Sequence, residues 1–364
     1  MMFDYEKNEN CFSKTIHVES KLLYGSLDNI HNPLFTVLIP TYKRVNLLKD
    51  ALKSVMEQWH VPFMWDIIVL DNEPYDGERN DTEKYIREVN SKRILYYRNT
   101  ENIRPGDNFN RGIFLARGKW VMMLHDDDIL ISNSLHNMYN IVTSLESIGK
   151  NVGAIATKYH QFKYDPNNPA KHLDEINAAH EWYLQQPTNY NLYKITHNNV
   201  IFTGHIGGDV PSNGATYNRE AVLKVGGFND DFGISADLVL YYCLEDKYDV
   251  YSTTVPFGFY RWGINTMSKP ESTYNTIKFC YDFREYVYSK NIFNKLWGYV
   301  FRKYQHRRFL LNVLSYKKTG TSEKINLDDY KDIADLSVNK HIYVLYSLGI
   351  KAVYEFMKWL QMKK

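Results

Sequence analysis

Residues Lys119 to Leu130 read KWVMMLHDDDIL, an unbroken apolar run that ends in His125 and three consecutive aspartates, Asp126, Asp127 and Asp128. Trp120 to Leu124 are apolar without alternation, which predicts a strand covered on both faces in the middle of a mainly parallel sheet. In open α/β sheets the ligand crevice lies beyond the carboxyl ends of the strands, so the carboxylates stand where a site is expected. Adjacent carboxylates repel one another unless a cation or strong donors offset their charge. A hard divalent ion, Mg²⁺ or Mn²⁺, offers that offset because it prefers carboxylate oxygen and is usually shared with substrate phosphates. The plain alternative is a solvated acidic turn that caps a helix starting near Ser132 or Asn133.

Upstream of this stretch the pattern alternates. Phe35 to Ile39 (FTVLI) predicts a buried strand stopped by Pro40. Asn46 then caps an amphipathic helix carrying Leu47, Leu48, Ala51, Leu52, Val55 and Met56 and ending near Gln58. Ile67 to Leu70 is the next strand, with Asp71-Asn72-Glu73-Pro74 as its polar exit. A charged helix over Asp81 to Asn90, a strand over Ile94 to Tyr97 and a helix over Asn108 to Arg117 follow. Such alternation predicts right-handed βαβ units and an α/β, doubly wound, mostly parallel sheet. Neither G-x-G-x-x-G nor G-x-x-x-x-G-K-[ST] occurs, so phosphate binding falls to metal and side chains.

The composition bounds the rest. In 364 residues, 44 Lys and Arg face 42 Asp and Glu, a net charge of +2 that favours neither nucleic acid nor an acidic partner. Cys11, Cys243 and Cys280 are odd in number and widely spaced, which fits a reducing compartment without a disulfide framework. The polar amino terminus lacks a signal-like apolar region, and no uncharged apolar run is long enough to span a bilayer. The expectation is a cytoplasmic protein. Three parts are expected: an extension over 1–33, a main domain over 34–270 (halves 34–130 and 131–270), and a helical region over 271–364.

TVLIPTYKR (Thr36 to Arg44), VLDN (Val69 to Asn72), NFNRGIFLARGKWVMMLHDDDIL (Asn108 to Leu130) and VGGFNDD (Val225 to Asp231) together resemble glycosyltransferase family 2, with its GT-A fold. The resemblance covers roughly residues 34 to 265. It implies inverting, metal-dependent transfer from a nucleoside diphosphate sugar, a UDP-sugar for preference, to a hydroxyl of a glycan or glycoconjugate, in a bacterial surface polysaccharide context. It implies that Asp71 contacts the nucleotide base, that Pro40 and Thr41 lie along the nucleoside, and that the acidic motif binds Mn²⁺ or Mg²⁺. Tyr42, Arg44, Arg104, Asn108 and Asp126 complete the expected donor-binding set. The common D-x-D-D pattern here reads His125-Asp126-Asp127-Asp128, so the ligand register stays open. Asp127 is the first choice, with Asp126 and Asp128 as metal ligands beside it or on the ribose or metal-bound water.

An acceptor hydroxyl needs a general base. The resembling family places an aspartate after a Glu here; the pair in this chain is Ala236-Asp237, which makes Asp237 the candidate catalytic base, with Asp230 and Asp231 behind it. Asp237 capping a helix first turn is the bland reading. Arg261 is a candidate partner for diphosphate and Trp262 for a sugar face, and both alternatively close the core. Residues from about Tyr159 to Asn199 lack periodicity and suit a lid or acceptor-binding insertion. His160, His172, His180 and His197 there read as ordinary surface or packing histidines. Gly204 to Gly208 and Asn213-Gly214 suit a close approach to ligand.

Beyond Thr273, Ile292, Phe293, Leu296, Trp297, Val300, Phe301 and Tyr304 line one helical face, with no acidic residue between Tyr286 and Ser322. Such a basic, aromatic helix suits a peripheral place on an anionic membrane, a second subunit, or the catalytic domain itself. A sugar nucleotidyltransferase and a nucleotide-sugar-binding scaffold without activity are the competing functions. The first would want a glycine- and arginine-rich loop where Pro40-Thr41-Tyr42-Lys43-Arg44 stands; the second is motivated by His125 and Ala236.

Overall fold

The computed structural model describes residues 10–163, 192–197, 212–262, 270–318 and 338–362, as well as the single residues 176 and 181. In chain order these form β1 (Ser20–Tyr24), β2 (Phe35–Thr41), α1 (Val45–Met56), β3 (Trp65–Asp71), α2 (Asp81–Val89), β4 (Ile94–Asn99), α3 (Pro105–Leu115), β5 (Trp120–Met123) and β6 (Ile129–Leu130). There follow α4 (Ser134–Ser147), β7 (Val152–Lys163), β8 (Leu192–Lys194), β9 (Thr216–Asn218), α5 (Arg219–Val225), α6 (Ala236–Glu245), β10 (Asp249–Trp262), α7 (Pro270–Ser289), α8 (Ile292–Lys318) and α9 (Lys340–Met362).

Every residue of β2, β3, β4 and β5 is buried, as unbroken apolar runs between two helical layers must be. Successive side chains of β2 divide between those layers. Phe35, Val37 and Ile39 pack with Leu48, Leu52 and Val55 of α1, Ile86 of α2 and Leu135, Met138 and Ile141 of α4. Leu38 packs on the other face with Ile113 of α3, and with residues of α5, α6, α7 and α8. The sheet is therefore wound on both sides, as the alternating pattern predicts.

The strand order is β1-β4-β3-β2-β5-β9-β7-β10-β6, with β8 beside β10. From β4 to β5 the pairing is parallel throughout. Beyond β5 it becomes mixed: β9 is antiparallel to both β5 and β7, while β7 and β10 are parallel. The parallel expectation thus holds for the amino-terminal half.

Several boundaries differ from the sequence reading for local reasons. β2 continues through Pro40 to Thr41, because pairing with β5 ends at Leu38 and a missing N–H there breaks no ladder bond. Arg44, not Asn46, occupies the N-cap of α1, and α3 begins at Pro105, whose fixed φ suits a first helical position. Residues 20–24 are not an appendage: β1 pairs antiparallel with β4 and covers its edge. Ile277, Cys280, Phe283 and Val287 of α7, and Phe309 and Leu310 of α8, lie in the main core. Most of the irregular stretch after Lys163, with His172, His180 and Gly204 to Gly208, lies outside the described residues.

The entry to β5 is locked by polar groups. Gly118 N–H donates to Thr36 Oγ1 (2.9 Å), whose hydroxyl donates to buried Asp66 (2.7 Å), which Arg117 also holds (2.7 Å). A Cβ on Gly118 would lie 2.5 Å from the Thr36 backbone nitrogen. Gly118→Ala is therefore expected to destabilise the protein by about 1–3 kcal/mol through overpacking against backbone, read as a lower urea midpoint with an unchanged m-value.

Candidate active site

β5 ends at Met123, and the chain turns immediately: Leu124 N–H still bonds Leu38 C=O (3.0 Å), while Asp128 N–H closes a turn on His125 C=O (3.1 Å). That turn delivers three carboxylates to the carboxyl end of β2, all nearly inaccessible, with Asp126 at 0%, Asp127 at 4% and Asp128 at 1% exposure. The solvated-turn alternative is thereby excluded.

Asp126 faces β2. Its Oδ2 accepts from Thr41 Oγ1 (2.7 Å) and Arg44 Nε (3.2 Å), and its Oδ1 from a terminal Arg44 nitrogen. The other terminal nitrogen of Arg44 donates to Asp127 Oδ2 (3.1 Å). Burial pushes the Asp126 carboxyl up to about 6, with Arg44 pulling it down and Asp127 pushing it up.

Asp128 accepts the backbone N–H of Arg261 at Oδ1 (3.0 Å), while its Oδ2 is buried with no hydrogen-bond partner. Burial and the adjacent Asp127 charge push its carboxyl well above the ordinary range. His125, Asp127 and Asp128 each offer a ligand atom, all within 4.8 Å of one another. The buried, unpartnered Asp128 oxygen suits a cation, and the donor set of carboxylates and one imidazole fits Mn²⁺ or Mg²⁺. Asp126, expected among the ligands, is outside this group and engaged with Arg44; His125 takes its place.

Asp237 sits in the first turn of α6, half-buried, with Leu238 N–H on its Oδ1 (2.7 Å). Burial pushes its carboxyl up to about 6, against that bond and a hydrogen bond from the Ser212 hydroxyl. Ser212 Oγ also lies 3.1 Å from His125 Nε2. Ser212 thus touches His125 of the β5 turn and is among the groups that act on the Asp237 carboxyl. Nothing local in the sequence marks Ser212, which is 87 positions from His125.

The remaining expected residues have these partners. Asp71 is fully buried and accepts from Glu73 N–H (2.9 Å), Asn80 Nδ2 (2.8 Å) and Tyr96 Oη (2.9 Å), so it shapes the loop after β3. Asn108 accepts from Asn99 (2.8 Å), which also donates to Asn72 (3.0 Å), tying the loops after β3 and β4 together. Arg104 pairs with Asp231 (2.8 Å), Asp107 (3.1 Å) and Asp230 (3.4 Å), so both fallback bases are engaged by one guanidinium. Arg261 pairs with Asp50 of α1 and stands behind Asp128. Pro40 lies within β2, and Tyr42 is exposed beneath the Lys43 ammonium (5.5 Å). Among the sequence-flagged histidines, His160 packs on Phe259, while His197 lies 3.1 Å from Glu245 and 3.5 Å from Asp246.

The model of "Glycosyl transferase family 2" matches residues 36–224, more than half of the chain. The chain belongs to glycosyl transferase family 2. Two curated relatives in the family illustrate the range. One is the GalNAc(5)-diNAcBac-PP-undecaprenol beta-1,3-glucosyltransferase of Campylobacter jejuni, 34% identical over 110 residues, covering 29% of this chain and 33% of that protein. The other is the abequosyltransferase RfbV of Salmonella typhimurium, 31% identical over 102 residues, covering 28% and 30%. The chain spans about a third of the length of these relatives. The solved mannosyltransferase PcManGT of Pyrobaculum calidifontis, in complex with GDP-Man and Mn²⁺, is 15% identical over 94% of this chain and 90% of that one, with a TM-score of 0.49. So distant a likeness adds nothing about the site.

Arg44 is the only described cation bonded to both Asp126 and Asp127. An unfolded Asp titrates near 4, roughly two units below the folded Asp126, so the native state binds the extra proton between those values and stability falls as pH rises from about 4 to about 6. Arg44→Ala removes the charge that lowers Asp126, so the fall is expected to continue above pH 6. Urea unfolding in EDTA from pH 4.5 to 8 should show this, with a loss of about 1–3 kcal/mol at pH 7.5 after allowance for the solvent exposure of Arg44.

Proposed function

We propose that this family 2 chain transfers one sugar, with inversion, from a nucleoside diphosphate sugar to a hydroxyl of a glycan or glycoconjugate. What supports this reading is the cation-binding cluster of His125, Asp127 and Asp128 after β5, with Ser212 3.1 Å from His125 and also among the groups that act on the raised Asp237 carboxyl of α6. The arrangement puts a carboxylate with a raised pKa beside a cluster able to hold a divalent ion. UDP is the nucleotide we favour, on the resemblance of the donor half, and a cell-surface polysaccharide or lipid-linked glycan is the acceptor class we favour. The names of the two relatives, a glucosyltransferase on an undecaprenol-PP carrier and an abequosyltransferase, support sugar transfer of this kind.

In this mechanism Asp127 and Asp128 would hold Mn²⁺ or Mg²⁺. The chemistry that ion supplies is Lewis-acid stabilisation of charge on the leaving diphosphate. Arg44 keeps Asp126 and Asp127 in place and partly neutral as a group. Asp237 takes the proton of the acceptor hydroxyl as that oxygen attacks the anomeric carbon. Desolvation that lifts its pKa also strengthens it as a base near neutral pH.

The carboxyl-terminal helices suit a peripheral place on an anionic membrane. Ile292, Phe293, Leu296, Tyr299 and Val300 of α8, and Ile342, Leu345, Leu348 and Phe356 of α9, are each at least 50% exposed. Exposed apolar side chains at helical spacing mark a contact face, and Lys295 and Lys303 flank it on α8 in a stretch without acidic residues. No helix of the described residues is long and apolar enough to cross a membrane.

Asp127→Ala and Asp237→Asn are expected to lose at least about 100-fold in sugar transfer, and full activity in both defeats the role assignments. Asp237→Asn should keep the Mn²⁺-dependent thermal shift with UDP. A wild-type shift that comes with no transfer to any acceptor favours a binding scaffold instead. Because the base must be ionised, kcat/KM should fall as pH drops below about 6, following the raised Asp237. For the membrane face, the pair Leu296→Glu and Leu345→Glu should abolish sedimentation with phosphatidylglycerol vesicles; loss of a dimer on gel filtration without any vesicle binding would assign the face to a second subunit.

A further inference from the structure

We propose that His125 is itself a metal ligand, completing with Asp127 and Asp128 a mixed imidazole–carboxylate site that prefers Mn²⁺ over Mg²⁺. This rests on the reading that the acidic turn holds a divalent ion. It concerns the position where this chain departs from the acidic pattern that the family carries.

Three observations converge. The ligand atoms of His125, Asp127 and Asp128 lie within 4.8 Å of one another, whereas Asp126 is spent on Thr41 and Arg44. Asp128 Oδ2 is buried and has no hydrogen-bond partner, so the cluster contains an oxygen whose lone pairs want a cation or a donor. The third is the Ser212 hydroxyl. Its oxygen lies 3.1 Å from His125 Nε2, so the ring is held at that nitrogen and Nδ1 is the one left to meet an ion. A hydrogen bond on one ring nitrogen that fixes the tautomer is the usual support of an imidazole ligand at the other. Ser212 is accordingly a positioning residue for the His125 ring.

The chemical consequence is selectivity. Mg²⁺ is hard and holds to oxygen and water, whereas Mn²⁺ accepts imidazole nitrogen more readily. An aspartate at the same place would reverse the bias.

The test is electron paramagnetic resonance of Mn²⁺ added to the full-length, metal-stripped protein with UDP, with spin-echo modulation to detect directly coordinated ¹⁴N. The expected result is bound Mn²⁺ with ¹⁴N coupling in the wild type, absent in His125→Ala and His125→Asp. Mn²⁺ affinity should fall at least about tenfold in His125→Ala. His125→Asp should retain Mn²⁺ and gain in relative affinity for Mg²⁺ by competition. Ser212→Ala should weaken the ¹⁴N coupling while leaving Mn²⁺ bound. Bound Mn²⁺ without ¹⁴N coupling in the wild type, or coupling that survives in His125→Ala, overturns the inference and leaves the metal reading standing. If wild type and Asp127→Ala both fail to bind Mn²⁺, with or without UDP, the metal reading itself falls.

Discussion

Three carboxylates brought within one buried turn are the constraint on which the site depends. Charge of one sign costs free energy wherever water is excluded, and the cost rises steeply when the groups are adjacent. The protein meets it unequally. Asp126 receives Thr41 and the Arg44 guanidinium, Asp127 receives the second arm of the same guanidinium, and Asp128 receives one backbone N–H. What is left over is concentrated on Asp127 and Asp128, on the side where His125 stands.

The framework that holds this arrangement is the parallel block of β4, β3, β2 and β5. Its strands are short and buried on both faces, so the turn after β5 is anchored by ladder bonds on one side and by β9 on the other. Arg44 reaches the aspartates because β2 ends one strand away and passes straight into α1. The same helix sends Asp50 to Arg261, which braces Asp128 from behind. Loops after β3 and β4 are fixed by their own polar network through Asp71, Asn80, Asn72, Asn99 and Asn108. Such buried networks give a crevice wall a single shape, which suits recognition of a ligand that presses against it.

The second half of the molecule contributes by meeting the first. β9 joins the sheet antiparallel to β5, and the residues just before it carry Ser212 to the acidic turn. α6 lies on the face opposite α1, with Asp237 in its first turn. Neither element would find the turn without β9, which is why the mixed half of the sheet matters to the chemistry as well as to the core. Arg104 shows the converse: a cation that sequence position alone would aim at phosphate is held by Asp107, Asp230 and Asp231.

What the sequence determined by itself was the alternation of buried strands and amphipathic helices, the end of β5 as the focus of charge, and the family, because strand period, helix period and a short acidic motif are all local signals. The resemblance to that family then named Thr41, Arg44, Asp127, Asp128 and Asp237 as expected site residues. Only the tertiary structure decided how they divide the work. Whether a carboxylate is paired, orphaned or within reach of an imidazole depends on groups far apart in the chain: Arg44 on Asp126, Arg261 on Asp128, Ser212 on His125. Hydrogen bonding and desolvation act over a few ångströms in space, and spacing along the chain carries no record of them.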